Sequence, residues 1–203
     1  MTIGCCTKYL VAAGLSLLVA GGVALLMYLH NYPVHHFAVV RGGILYRGGQ
    51  PDRSALGTIW ARYHIRTIVN LRGRDDKAGW YVEEERFCGA HGLKLVNIPM
   101  ANPDQVRNNL GALLEVMSDP ANHPVFVHCE AGSARVGAAV AAYRTAVEGW
   151  SLQDALAEAK RYRFKPEVNL NPQFVKALQE LADGADWRRL SDAGAGPAPK
   201  AVR

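Results

Sequence analysis

A cysteine at the end of an apolar strand, with five residues between it and an arginine that opens a helix, constrains this chain more than any other feature. Pro124-Val125-Phe126-Val127 is short, apolar and β-rich, the pattern of a buried strand. His128-Cys129-Glu130-Ala131-Gly132-Ser133-Ala134-Arg135 follows it. From Val136 to Glu148 the sequence is alanine-rich and helical in pattern, with Gly149 placed as a C′ glycine. Strand, short loop and helix in that order make an anion cradle, because loop and first-turn N–H groups converge where the helix dipole is positive. A thiol in such a cradle is favoured as the thiolate, the nucleophilic form. Arg135 brings a planar fork of donors that matches two phosphate oxygens. A nucleophile inside an anion trap points to attack on phosphorus by sulfur. An isolated buried cysteine is ordinarily inert, so the weight rests on the strand, Gly132 and the helix around Cys129.

At these residues the chain resembles the cysteine-dependent protein tyrosine and dual-specificity phosphatases, whose signature is His-Cys-x5-Arg followed by Ser or Thr. Leu45-Tyr46-Arg47-Gly48-Gly49-Gln50-Pro51, Ile68-Val69-Asn70-Leu71-Arg72, Asp119-Pro120-Ala121-Asn122-His123-Pro124 and Glu148-Gly149-Trp150-Ser151 extend the resemblance toward the bacterial branch. It covers about residues 38–182 and implies an α/β fold with a central, mainly parallel sheet flanked by helices. It also implies the chemistry. Cys129 becomes a phosphocysteine; Glu130, Ala131, Gly132, Ser133, Ala134 and Arg135 bind the phosphate. A carboxylic acid then protonates the leaving oxygen, and no metal or cofactor is required.

The family keeps its acid after the strand expected over Leu93–Ile98, where Pro99-Met100-Ala101-Asn102-Pro103-Asp104 offers only Asp104. Helix capping is the rival role for that residue, and Asp75 and Asp76 are the alternative acids. His128 is expected to steady the thiolate, Ser133 only to turn the loop, and Arg72 to approach substrate from a neighbouring strand end. Val136 departs from the pattern. A hydroxyl there would donate to the departing thiolate and valine cannot, so slow turnover with an accumulating intermediate is expected. Glu130 directly after Cys129 disfavours densely charged inositol phosphates. The expected substrate is a phosphorylated protein, phosphotyrosine first. A phosphate-binding module without turnover, a phosphoinositide phosphatase, and a reductase or sulfurtransferase using Cys88 or thiosulfate are the competing readings.

The rest of the 203 residues is read around this core. Net charge is 23 basic minus 18 acidic, or +5, which suits anionic substrates; no basic run or aromatic-interleaved stripe argues for nucleic acid. Four cysteines, two of them adjacent at Cys5 and Cys6, do not make a disulfide framework. Leu10 to Leu29 carries no charge over twenty residues, about 30 Å as a helix. It is expected to be an uncleaved transmembrane anchor, with a signal peptide cleaved near Gly22-Val23-Ala24 as the alternative. A single pass through the inner (plasma) membrane with the catalytic domain extracytoplasmic follows from that expectation. The boundaries are then 1–9 for the N-terminal tail, 10–29 for the anchor and 30–37 for a linker holding His30, His35 and His36. Residues 38–183 form the phosphatase domain, and 184–203 an Ala/Gly/Pro-rich flexible tail. Glu83-Glu84-Glu85 reads as a solvated helix face. Oligomeric state has no signal.

Overall fold

The computed structural model describes residues 5–30, 34–165 and 172–188. The chain divides into two compact units, Met1–Pro33 and Val34–Arg203. In the first, helix α1 runs from Cys5 to His30. Its residues 9–23 are exposed. Among the described residues no helix is long and apolar enough to cross a membrane. The expected anchor over Leu10–Leu29, and the single-pass membrane location drawn from it, are corrected accordingly. The expectation rested on the absence of charge over twenty residues, and that criterion does not by itself establish a membrane span. The expected tail over 184–203 falls mostly outside the described residues.

The second unit is built on five strands: β1 (Ala38–Arg41), β2 (Leu45–Gly48), β3 (Thr67–Asn70), β4 (Lys94–Asn97) and β5 (Val125–His128). Their order is β1-β2-β5-β3-β4, with β1 antiparallel at one edge and the remaining pairs parallel. The sheet is therefore mixed. Strands β2, β3 and β5 are buried at every position, as parallel strands covered on both faces must be. Alternation sorts their side chains. Leu45, Val69, Val96, Val125 and Val127 join one core, and Tyr46, Ile68, Leu95 and Phe126 the other.

Helices α2 (Arg53–Tyr63) and α3 (Gly79–His91) cover the second of these faces. Helices α4 (Pro103–Ser118), α5 (Ala134–Ala146), α6 (Leu152–Lys160) and α7 (Pro172–Ala182) cover the first. Asp52 caps α2 by accepting from Ala55 N at 2.8 Å, the role its position in the sequence predicts. Helix α5 is buried at every position from Val136 to Thr145, so small residues suit it on all sides. A Cβ on Gly137 would stand 2.6 Å from the Phe164 ring. That close approach fixes how deep α5 sits, and with it the loop at its N-terminus.

The stretch expected to be a solvated linker is packed from Val34 onward. Val34 is buried, the Phe37 ring stacks 5.3 Å from Tyr63 and 6.5 Å from Tyr46, and the His35 carbonyl accepts from Gly49 N at 2.7 Å. Paired histidines next to a proline hid the apolar Val34 and Phe37 that anchor this segment.

Candidate active site

Strand β5 lies between β2 and β3, with His128 in register with Gly48 and Asn70. Cys129 therefore emerges at the carboxyl end of the sheet between two parallel neighbours, where open α/β sheets bind ligands. Leu71 N donates to the His128 carbonyl at 2.9 Å, which brings Arg72 beside the loop as the sequence predicts.

The loop carbonyls are tied down from outside. Glu130 O accepts from Gln50 N at 2.9 Å, Ala131 O from His36 Nδ1 at 2.8 Å, and Gly132 O from Arg47 Nη2 at 2.7 Å. A carbonyl only accepts, so His36 carries its hydrogen on Nδ1. In a planar trans peptide the next N–H points opposite to the carbonyl. Fixing these three carbonyls outward thus turns the N–H groups of Ala131, Gly132 and Ser133 inward, toward the thiol. Inward N–H groups around one thiol are the arrangement that an anion cradle requires. Gly132 sits at φ +70°, and a Cβ on it would lie 2.5 Å from Gly49 N and 2.7 Å from Gly48 C. A Cβ on Gly49 would lie 2.9 Å from Glu130 O. The glycines of both motifs let two backbones touch.

Ala134 and Arg135 open α5, and Ser133 makes no capping hydrogen bond. The first-turn N–H groups are therefore left without a side-chain cap. Cys129 is 2% exposed. The Arg135 guanidinium, 27% exposed, lies 3.6 Å from the carboxylate of Glu130, which is 68% exposed. Val136 is fully buried in the core below.

Beneath the loop lies a layer of charged groups that sequence reasoning missed. Arg47 is 1% exposed, and its guanidinium stacks 4.1 Å from the Tyr162 ring centre. Burial lowers its pKa to about 10, opposed by the nearby Tyr162, Glu158 and Cys129. Glu84, expected on a wet face, is buried instead. Its Oε1 is 2.9 Å from Nε2 of the equally buried His128, and Gln50 Nε2 donates to the same oxygen at 3.4 Å. An acidic triplet on a helix looks solvated, but its middle residue turns with Tyr81, Phe87 and Cys88 toward the sheet. Arg72 donates to Gln50 Oε1 at 3.2 Å and lies 3.6 Å from the Trp80 ring centre, so Gln50 joins Arg72, Glu84 and the loop.

Asp104 is exposed in the first turn of α4. The capping role is taken by Asn102, whose side chain accepts from Gln105 N at 2.9 Å. Of the alternative acids, Asp76 pairs with Arg74 at 2.7 Å and Asp75 accepts from Lys77 N at 3.2 Å. Cys88 belongs to the core on the α2–α3 face and Cys129 to the core on the other. The sheet stands between the two thiols, which removes Cys88 as a resolving partner.

Known proteins resemble this chain in sequence and in fold. Residues 39–177 match the family model described as "DSP-PTPase phosphatase fused to NAD+ Kinase". The inositol diphosphatase SIW14 of Saccharomyces cerevisiae is 26% identical over 78% of this chain and 55% of its own length. The dual specificity protein phosphatase TpbA of Pseudomonas aeruginosa is 30% identical over 69% of this chain and 61% of its own. The chain thus spans little more than half the length of these relatives. The crystal structure of the SIW14 core catalytic domain, in complex with citrate, superposes with a TM-score of 0.61 at 22% identity, covering 79% of this chain and 93% of that one. For TpbA the TM-score is 0.52 at 24% identity, over 75% and 87%. At those identities the superpositions show the fold.

Proposed function

The chain belongs to the DSP-PTPase phosphatase family, and from that membership we propose that it hydrolyses phosphate monoesters through a phosphocysteine on Cys129. The observation that carries the proposal is the trio of loop carbonyls held outward by Gln50, His36 and Arg47. It leaves inward N–H groups around a cysteine, with Arg135 at the rim. The thiolate attacks phosphorus, the P–O bond to the leaving group breaks, and Asp104 gives that oxygen its proton. Charge on the three equatorial oxygens is met by the loop N–H groups and the Arg135 fork. Asp104, now a carboxylate, takes a proton from water as that water attacks the phosphocysteine. Sulfur departs as thiolate and phosphate is released.

Phosphotyrosine on protein is the preferred substrate in this reading. Glu130 places a carboxylate 3.6 Å from Arg135, which penalises a substrate crowded with phosphates more than a singly phosphorylated side chain. An inositol phosphate is the second reading, favoured by the relative named an inositol diphosphatase. The purified chain is incubated without metal with nitrophenyl phosphate, a phosphotyrosine peptide and a diphosphorylated inositol, each beside Cys129→Ser. Hydrolysis lost in Cys129→Ser supports the phosphocysteine, and the faster natural substrate selects between the readings. Equal activity in both proteins rejects the proposal.

A further inference from the structure

Among the described residues Arg47 forms no salt bridge. Its side chain is buried, and of its guanidinium nitrogens only Nη2 has a hydrogen-bond partner among the described residues, the Gly132 carbonyl at 2.7 Å; Nε and Nη1 have none. Glu158 is close enough to be felt electrostatically, but its two oxygens are taken by Arg144 at 2.9 and 2.6 Å. Buried charges in proteins are ordinarily paired. What lies against Arg47 instead is the loop itself: its Nη2 holds the Gly132 carbonyl, and Cys129 is close enough to be felt electrostatically.

We infer that Arg47 is a positioning residue that acts on Cys129 through the loop, as its buried counter-charge and as the clamp that turns the Ser133 N–H inward. The inference rests on the phosphocysteine reading and deepens it. Two functions meet in one side chain. The hydrogen bond to Gly132 O sets the peptide plane, which a neutral donor of the right length could also do. The charge is what a neutral donor cannot replace: it favours thiolate over thiol and dianion over vacancy. Tyr162 stacks on the guanidinium and keeps the fork flat against the loop without neutralising it. Among the described residues, the other charged or titratable groups on the loop and its supports are Arg135 on α5, His128 and Glu130 in the loop, Glu84 on α3 against His128, His36 on the Ala131 carbonyl, and Glu158 and Tyr162 beside Arg47. None of these is both buried beneath the loop and positively charged at every pH near neutrality.

The test follows Cys129 and not turnover. Full-length protein, Arg47→Gln, Arg47→Met and Arg47→Lys are alkylated with iodoacetamide from pH 5 to pH 10, and labelling of the Cys129 peptide is read by mass spectrometry. Circular dichroism checks that each variant is folded; Met, of similar length, serves where Gln does not fold. The pH midpoint of Cys129 labelling moves up by about one unit in the neutral variants and stays with the wild type in Arg47→Lys. At pH 7 protection by inorganic phosphate weakens by about tenfold in Gln or Met. A folded neutral variant with an unchanged midpoint, or a Lys variant shifted as far as Gln, overturns the inference. The readout uses no substrate. An inactive wild type with a normal midpoint shift would reject the catalytic reading alone, and an active one without the shift would reject only this.

Discussion

His128 Nε2 stands 2.9 Å from Glu84 Oε1, with both side chains out of contact with solvent. The residue before the nucleophile is thereby tied to α3, and α3 to the loop. Removing one of two buried polar groups leaves the other desolvated and unanswered, so Glu84→Ala is expected to lose about 1–3 kcal/mol of stability, read as a lower urea midpoint. Glu84→Gln, which retains a hydrogen-bonding side chain, is expected to lose less. A Gln variant weaker than Ala would remove the pair from the account.

Gly132 has no room for a side chain. Alanine there would combine a strained positive φ, about 1–3 kcal/mol, with contacts of 2.5 Å to Gly49 N and 2.7 Å to Gly48 C. The loop must shift, and displacement of about 1 Å at such a site costs on the order of 100-fold in rate. Gly132→Ala is therefore expected to lose that much in kcat/KM on nitrophenyl phosphate. Retention of more than a tenth of the rate would contradict the contact.

The parts of this site that were legible in the sequence are those a local pattern encodes. The helix from Arg53 to Tyr63 with its Asp52 cap, the glycine hairpin before Leu45, and a cysteine between a buried strand and a buried helix all follow from neighbours in the chain. The supporting layer was not legible, because it is assembled across the fold. Gln50, His36 and Arg47 reach the loop over sequence separations of 80 to 95 residues. Their residue types alone are ordinary for a surface. Glu84 was misread for the same reason: a charged triplet carries no mark of which member faces the sheet. The signal available was the Arg47-Gly48-Gly49-Gln50 motif, whose paired glycines mark a close backbone approach.

Cys88 and Cys129 are expected to differ sharply in reactivity. Burial, with Glu84 and Glu85 nearby, pushes the Cys88 thiol up to about 12, so it stays protonated through the neutral range. At pH 8 iodoacetamide is expected to label Cys129 and leave Cys88 unlabelled in folded protein. Because the folded pKa exceeds the unfolded one, its contribution to stability is whole below the ordinary thiol pKa. It is lost as pH rises toward 12, where the unfolded chain has already released its proton. Thermal melts of Cys88→Ala should therefore fall less steeply than wild type between pH 9 and pH 11. Parallel slopes would show that Cys88 does not titrate late.

Asn102 performs the capping task ahead of α4, and Asp104 lies exposed in the first turn of that helix. If it protonates the leaving oxygen, the effect of Asp104→Ala depends on the leaving group. On a phosphotyrosine peptide kcat is expected to fall by about 100-fold, and on nitrophenyl phosphate, whose leaving group needs less help, by under tenfold. Equal losses on both would assign the proton to another group.

Val136 fills the position where the family signature carries a hydroxyl, and here it is fully buried among the α5 core. Nothing at that point of the helix can donate to the sulfur as the phosphocysteine breaks down, so attack on Cys129 is expected to outrun hydrolysis. Rapid mixing with nitrophenyl phosphate should then show a burst of nitrophenol stoichiometric with enzyme, followed by a slower steady state. Val136→Thr introduces the donor at nearly constant volume. Burying that hydroxyl is expected to cost about 1–3 kcal/mol of stability. The steady-state rate should rise several-fold while the burst shrinks. A higher rate with an undiminished burst would mean the threonine acts on binding or on the first step, and a missing burst in the wild type would locate the slow step before the covalent intermediate.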